Sequence, residues 1–173
     1  HGGWGTGSAW AAVDFAPPDD RPDDSPACYV SDYFATAAAD GVIARSDSGM
    51  VALDLDGDGD DTTGWILLYL HIDAQDRAVV GTRVHVGDRI GRPSCEGGVS
   101  TATHLHVARL YNGEWIPASC EACAPGQERP PFVMSGWTVV GFASQEYQGI
   151  MTRGGDQRIA EQGRLVEENR VSW

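Results

Sequence analysis

Apolar residues along this chain fall in short runs separated by Gly, Pro, Asp and Ser, the pattern of strands joined by turns. The clearest run is residues 64–72, Gly-Trp-Ile-Leu-Leu-Tyr-Leu-His-Ile. It reads as a core strand, and the alternation of side chains along a strand places Tyr69 and His71 on one face. Further strands are expected over residues 11–15, 33–37, 41–46, 50–55, 83–86 and 104–111, with an exposed Asp- and Pro-rich loop over 17–26. Residues 84–91 have the look of a hairpin turn around Gly87-Asp88. Residues 132–142 and 145–151, joined toward Gln157 by Gly154-Gly155, read as extra strands. Helical periodicity is visible only near residues 156–168. The expected fold is all-β, an antiparallel barrel-sandwich-like sheet with a small C-terminal strand extension.

With 173 residues the chain can bury one sizeable core. The expected division is a main domain over residues 1–126 and a β extension over 127–173. The formal charge of −13 removes nucleic acid as a partner, since a cationic stripe is required to neutralise phosphates. All 12 basic residues are Arg, so Schiff-base and lipoyl or biotinyl chemistry, which needs Lys, is excluded. No apolar run approaches the ~18 to 20 residues that cross a bilayer. No export signal precedes His1, so one is expected to have been removed or never included.

Composition leaves the four cysteines, Cys28, Cys95, Cys120 and Cys123, open to three disulfide pairings in an exported protein. One pairing would close a short loop at Cys120–Cys123 and leave Cys28–Cys95 as the longer staple. A Cys₄ structural zinc site competes with any disulfide pattern, although it lacks a second Cys-x-x-Cys.

The chemistry concentrates in histidine. Of five histidines, His104-Leu105-His106 forms a His-x-His pair whose imidazoles share one side of a strand while Leu105 turns into the core. His71 lies upstream, His1 opens the chain with Asp14 downstream of it, and His85 sits apart in a polar turn. His1, Asp14 and His106 make a His₂Asp set of the kind that holds catalytic zinc with a position open for water. His71 and His104 then remain as imidazoles beside it. The run Asp54-Leu-Asp56-Gly-Asp58-Gly-Asp60-Asp61 resembles the start of a calcium loop, but the twelfth place, where an EF-hand wants Glu, is Trp65. A weaker Ca²⁺ site at Asp54, Asp56, Asp58 and Asp60 and a solvated acidic turn both remain as readings. Trp4, Trp10 and Trp65 read as core or groove wall.

The set His1 … Asp14, Tyr69-x-His71 and His104-x-His106 resembles the lysostaphin/LytM-type zinc endopeptidases, and most closely their LasA-like branch, which separates the first two ligands by a longer Gly- and Trp-containing loop. The stretches at residues 39–43 and 86–91 are similar to landmarks of that family. The resemblance covers roughly residues 1–111. It implies the duplicated hybrid motif, Zn²⁺ on His1, Asp14 and His106, and catalytic roles for His71 and His104. It also implies a monomeric, secreted or cell-envelope enzyme that cuts Gly-adjacent bonds in peptidoglycan cross-links or Gly-rich proteins. Two other classes compete: a copper oxygenase built on an N-terminal His, and a non-catalytic binding module of the same fold. Asp14 and the His-x-His strand suit zinc hydrolysis better than a copper brace. The presence of every expected ligand argues against a module that has lost its metal.

Overall fold

The computed structural model describes residues 7–22, 24–120, 123–126, 128–143, 145, 148–160 and 169–171. Along them run α1 (Ser8–Ala11), β1 (Ala12–Phe15), β2 (Ala35–Thr36), β3 (Gly41–Asp47), β4 (Met50–Asp54), β5 (Trp65–Leu70), β6 (Arg83–Val84) and β7 (Arg89–Gly91). They continue with β8 (Leu105–Tyr111), β9 (Glu114–Ile116), β10 (Val133–Met134), β11 (Trp137–Gly141), β12 (Gly149–Arg153) and β13 (Asp156–Ala160). The all-β, antiparallel expectation holds.

The main sheet has the order β1-β8-β5-β4-β3-β6, with β9 beside β8. Its centre is the antiparallel set β4, β5 and β8, in which Leu68 stands between Ala52 and Ala108. These strands are apolar on both faces, and Val51, Ala52, Leu53, Ile66, Leu67, Leu68, Tyr69, Val107 and Ala108 are all buried. A sheet covered on both sides reads as a continuous apolar run with no alternation, which is why residues 64–72 stood out. One covering contact is explicit: the buried Tyr69 hydroxyl accepts the Ala38 N–H at 2.8 Å, just beyond β2, which pairs with β7 in a second small sheet. Burial pushes the Tyr69 phenol up to about 12, so it stays protonated.

β3 and β4 are joined by Ser48-Gly49, both with positive φ (47° and 78°), the conformation a two-residue hairpin turn requires. At Gly49 and at Gly97, two loop backbones meet so closely that a Cβ on Gly49 would strike the Glu96 carbonyl oxygen and one on Gly97 the Ser48 carbonyl oxygen. Only glycine lets the 94–98 loop lie against this hairpin.

The chain divides into two compact units, Asp14–Glu114 and a second made of His1–Val13 with Trp115–Trp173. Within the second, the Ala118 N–H donates to the Trp10 carbonyl at 2.9 Å. β10, β11, β12 and β13 form an antiparallel meander. Met134, Trp137 and Met151 are buried side chains of the meander, with Phe132 just before it, and the Trp137 ring lies under the guanidinium groups of Arg153 (4.5 Å) and Arg158 (5.3 Å).

The structure corrects three expectations of the fold. Residues 84–91 turn at Gly87-Asp88 but form no hairpin, since β6 pairs with β3 and β7 pairs with β2 in the small sheet. Residues 156–160 are strand β13 and not helix; Gly154 and Gly155, with φ of 55° and 97°, turn the chain back so that Asp156 pairs with Arg153. That hairpin outweighs the helix-forming residues of the segment; residues 161–168 lie outside those described. The Cys₄ zinc reading is also overturned, because Cys28 bonds Cys95 and Cys120 bonds Cys123, leaving no thiolate.

Candidate metal centre

The site lies in the unit Asp14–Glu114, and three short pieces of chain supply its four side chains. His71 follows directly on β5 and takes a left-handed conformation, φ 65°, that non-glycine residues rarely adopt. His71 thus lies just past the strand, where the alternation expected over residues 69–71 no longer sets its direction. His104 precedes β8 and bridges to Ser94; His106 is the second residue of β8 and pairs with Leu70. Asp14 comes from β1, the neighbour of β8. Leu105 is half-buried and not a core residue, so the His-x-His pair sits at the lip of the sheet, not in its middle.

One ring nitrogen from each of His71, His104 and His106 lies within 4.8 Å of the others. The His71 and His104 ring centroids are 4.4 Å apart. Asp14 faces the same group, with Oδ1 3.0 Å from His106 Nδ1 and Oδ2 3.8 Å from His104 Nε2. His71 and His106 are buried, whereas the His104 and Asp14 side chains keep about a fifth to a third of their surface open (21% and 29%). The mouth of the site is therefore on the His104 and Asp14 side.

Hydrogen bonds fix the tautomers. His71 Nδ1 lies 3.1 Å from the Glu96 carbonyl oxygen and 3.0 Å from that of Gly97. A carbonyl can only accept, so Nδ1 carries the proton and Nε2 the lone pair. His104 Nδ1 donates in the same way to the Ala102 carbonyl at 2.8 Å. Burial, reinforced by the neighbouring His104, pushes the His71 imidazole below its ordinary value, against the opposing pull of the Glu96 carbonyl; His71 is neutral at pH 7.

The loops that hold these groups are tied together. The Thr103 hydroxyl accepts the Tyr29 N–H (2.8 Å) and donates to the Tyr29 carbonyl (2.6 Å), and the Ser31 N–H donates to the Pro93 carbonyl (2.8 Å). The Cys28–Cys95 disulfide joins the same two stretches of chain. Arg77 fastens Glu96 from outside at 3.1 Å.

A zinc ion fits this donor set. Neutral imidazole nitrogens and a carboxylate are the ligands zinc takes, and His106 with Asp14 supplies one of each. The His106 Nδ1 to Asp14 Oδ1 distance of 3.0 Å is near the roughly 3.4 Å edge of a tetrahedron with zinc-ligand bonds of about 2.0–2.1 Å.

Sequence reasoning brought His71, His104, His106 and Asp14 to one site, and the structure brings these four together. His1, and with it Trp4, lies outside the described residues. His85 stands apart as expected, exposed and 3.4 Å from Asp40. Trp65 is half-buried against Tyr111, with ring centroids 5.0 Å apart. The backbone carbonyls of Glu96, Gly97 and Ala102, and Ser94 behind them, went unread. The Gly97-Gly98 pair, close before the His-x-His strand, was the one signal that could have pointed to them.

The acidic run 54–61 is organised differently. The buried Asp54 carboxylate accepts the N–H groups of Asp56 (3.0 Å) and Gly59 (2.7 Å), and the Asp58 carboxylate accepts the Asp60 N–H (2.8 Å) and the Thr63 hydroxyl (3.1 Å). Burial alone would raise the Asp54 carboxyl, but the Gly59, Gly57 and Asp56 amides together hold it below the usual range. One oxygen from each of Asp54, Asp56 and Asp58 lies within 4.8 Å of the others.

No protein-family model and no curated protein matches the chain. Among solved structures it is similar to the M23 metalloprotease pseudoalterin from the deep sea, at 21% identity and a TM-score of 0.62 over 91% of this chain and 83% of that one. Weaker likenesses are the catalytic domain of the prophage-encoded M23 protein EnpA from Enterococcus faecalis (20% identity, TM-score 0.42, 61% and 88% covered) and the antimicrobial peptidase lysostaphin from Staphylococcus simulans (19% identity, TM-score 0.40, 73% and 72% covered). The chain has the fold of an M23 metalloprotease.

Proposed function

We propose that this chain is a zinc-dependent endopeptidase of the lysostaphin/LytM type, with the LasA-like spacing between His1 and Asp14, acting on Gly-adjacent peptide bonds in peptidoglycan cross-links or Gly-rich proteins. The observation that carries this reading is the convergence of His71, His104, His106 and Asp14 on one partly open site, within a fold shared with a metalloprotease. His1, Asp14 and His106 would hold the metal, His1 by resemblance alone. When bound, zinc supplies a Lewis acid that polarises a scissile carbonyl and makes water acidic.

The chain's own residues then do the rest. His71 and His104 keep Nδ1–H on backbone carbonyls, so each offers Nε2 to the reaction. As neutral bases they can take the proton of the attacking water and return one to the leaving amine, and in their protonated form they can donate to the developing oxyanion. Their 4.4 Å ring separation lets both act on one tetrahedral centre. Two disulfides support a working place outside the reducing cytoplasm. The enzyme is taken to act as a monomer.

A second reading follows from the same cluster: His71, His104 and His106 as a three-nitrogen metal set. Zinc content in His104→Ala separates the two, since the first reading keeps the metal and the second loses it. The activity itself is tested by incubating the zinc-loaded protein with an oligoglycine-bridged peptide and reading products by mass spectrometry. Cleavage beside glycine that stops on chelation is the expected outcome. An intact peptide with one zinc bound per chain would contradict the proposal.

A further inference from the structure

We propose that Ser94 is a positioning residue that holds His71 in its single Nδ1–H tautomer and keeps it in register with His104. Ser94 is 4% exposed and touches both imidazole-bearing residues through the backbone. Its N–H donates to the His71 carbonyl at 2.7 Å, its Oγ–H donates to the same oxygen at 3.1 Å, and it pairs with His104 as an isolated antiparallel bridge. Its Oγ also accepts the Glu96 N–H at 2.9 Å. The Glu96 carbonyl in turn accepts His71 Nδ1–H at 3.1 Å, so the hydrogen bonds close a ring: His71 ring to Glu96, Glu96 to Ser94, Ser94 back to the His71 carbonyl.

A hydroxyl is needed in this ring because it must donate and accept at once. It pins the carbonyl of a residue whose left-handed backbone is intrinsically unfavourable, and it aims the 94–98 loop so that two carbonyls face the imidazole. Without it the Glu96 N–H loses its acceptor, the loop carbonyls drift, and the ring can turn over so that Nδ1 and Nε2 exchange roles. The inference deepens the peptidase reading but is read by a measurement independent of it.

That measurement is long-range ¹H–¹⁵N NMR of the imidazoles in the full, zinc-loaded chain, alongside kcat and KM on a Gly-rich peptide. In the unmodified protein and in Ser94→Thr, which keeps the hydroxyl, His71 is expected as one Nδ1–H tautomer. In Ser94→Ala it is expected as a mixture, with kcat lowered roughly 10²-fold and KM little changed. Ser31→Ala removes another buried hydroxyl bond, the 2.6 Å contact to Asp19, and is expected to leave the His71 signals untouched. A wild-type His71 tautomer in Ser94→Ala overturns the proposal. If Ser94→Ala does not fold, Ser94→Thr decides alone, and a mixed tautomer there overturns it. Absence of peptide cleavage in every variant would count against the peptidase reading and leave the NMR result standing.

Discussion

Two places in this molecule gather residues of the kind that hold metals, and they use their donor atoms in opposite ways. Around His71, His104 and His106, backbone carbonyls occupy the Nδ1–H side of His71 and His104, and the remaining nitrogens gather with Asp14 at a partly open mouth. In the 54–61 turn, carboxylate oxygens of Asp54, Asp56, Asp58 and Asp60 accept the turn's own amides and hydroxyls. The first arrangement leaves the one lone pair of each carbonyl-held ring to the group, and in the second the loop itself takes part of each carboxylate's accepting capacity. Ligand-type residues in proximity are therefore weak guidance; what their other atoms bond to separates a site from a scaffold.

The comparison can be broken by substitution. The largest effect is expected for His106→Ala, which should bring peptide cleavage to background because it removes a buried donor shared with Asp14; an assay on a Gly-rich peptide checks it. His104→Ala should lower kcat by about 10²- to 10⁴-fold while the protein keeps its metal, the range for losing a proton-transfer group. Retained activity in both variants would remove the site assignment.

How much of this could be read beforehand depends on whether side chains or backbone carried the information. β4 and β5 were legible to within a residue or two because both faces of the central sheet are buried. The His-x-His pair was legible because it is a side-chain pattern. The left-handed His71 and the carbonyls that set its tautomer were not, because backbone groups leave no residue-specific trace, and Ser94 was not, because its hydroxyl bonds only to backbone groups. β13 was misread because Gly154-Gly155 decides it from outside the segment, and the disulfide pairing was open because distant loops had to meet first.

Smaller effects sharpen the contrast through pH and stability. Burial lowers the His71 value in the folded protein, so below the ordinary histidine value of about 6.5 the unfolded chain binds the proton more readily. In the metal-free protein, stability should decline as pH falls through that value and level off below the folded one. Thermal melts between pH 7.5 and 5 should show a shallower decline in His71→Gln than in the unmodified chain. Asp54→Ala strands the Asp56 and Gly59 amides and should cost roughly 2 kcal/mol, lowering Tm by about 4–8 °C, with zinc content and cleavage unchanged. The smallest effect is calcium: because these carboxylates already hold amides, millimolar calcium should shift Tm by less than about 1 °C. A rise of several degrees, abolished by Asp54→Ala, would make the turn a calcium site after all.

The central claim, that the imidazole cluster is a zinc centre, is tested most directly by elemental mass spectrometry of protein purified without added metal, side by side with His106→Ala. The account predicts about one zinc per chain in the first and none in the second. Copper in place of zinc, no metal in either protein, or zinc retained in His106→Ala would contradict it.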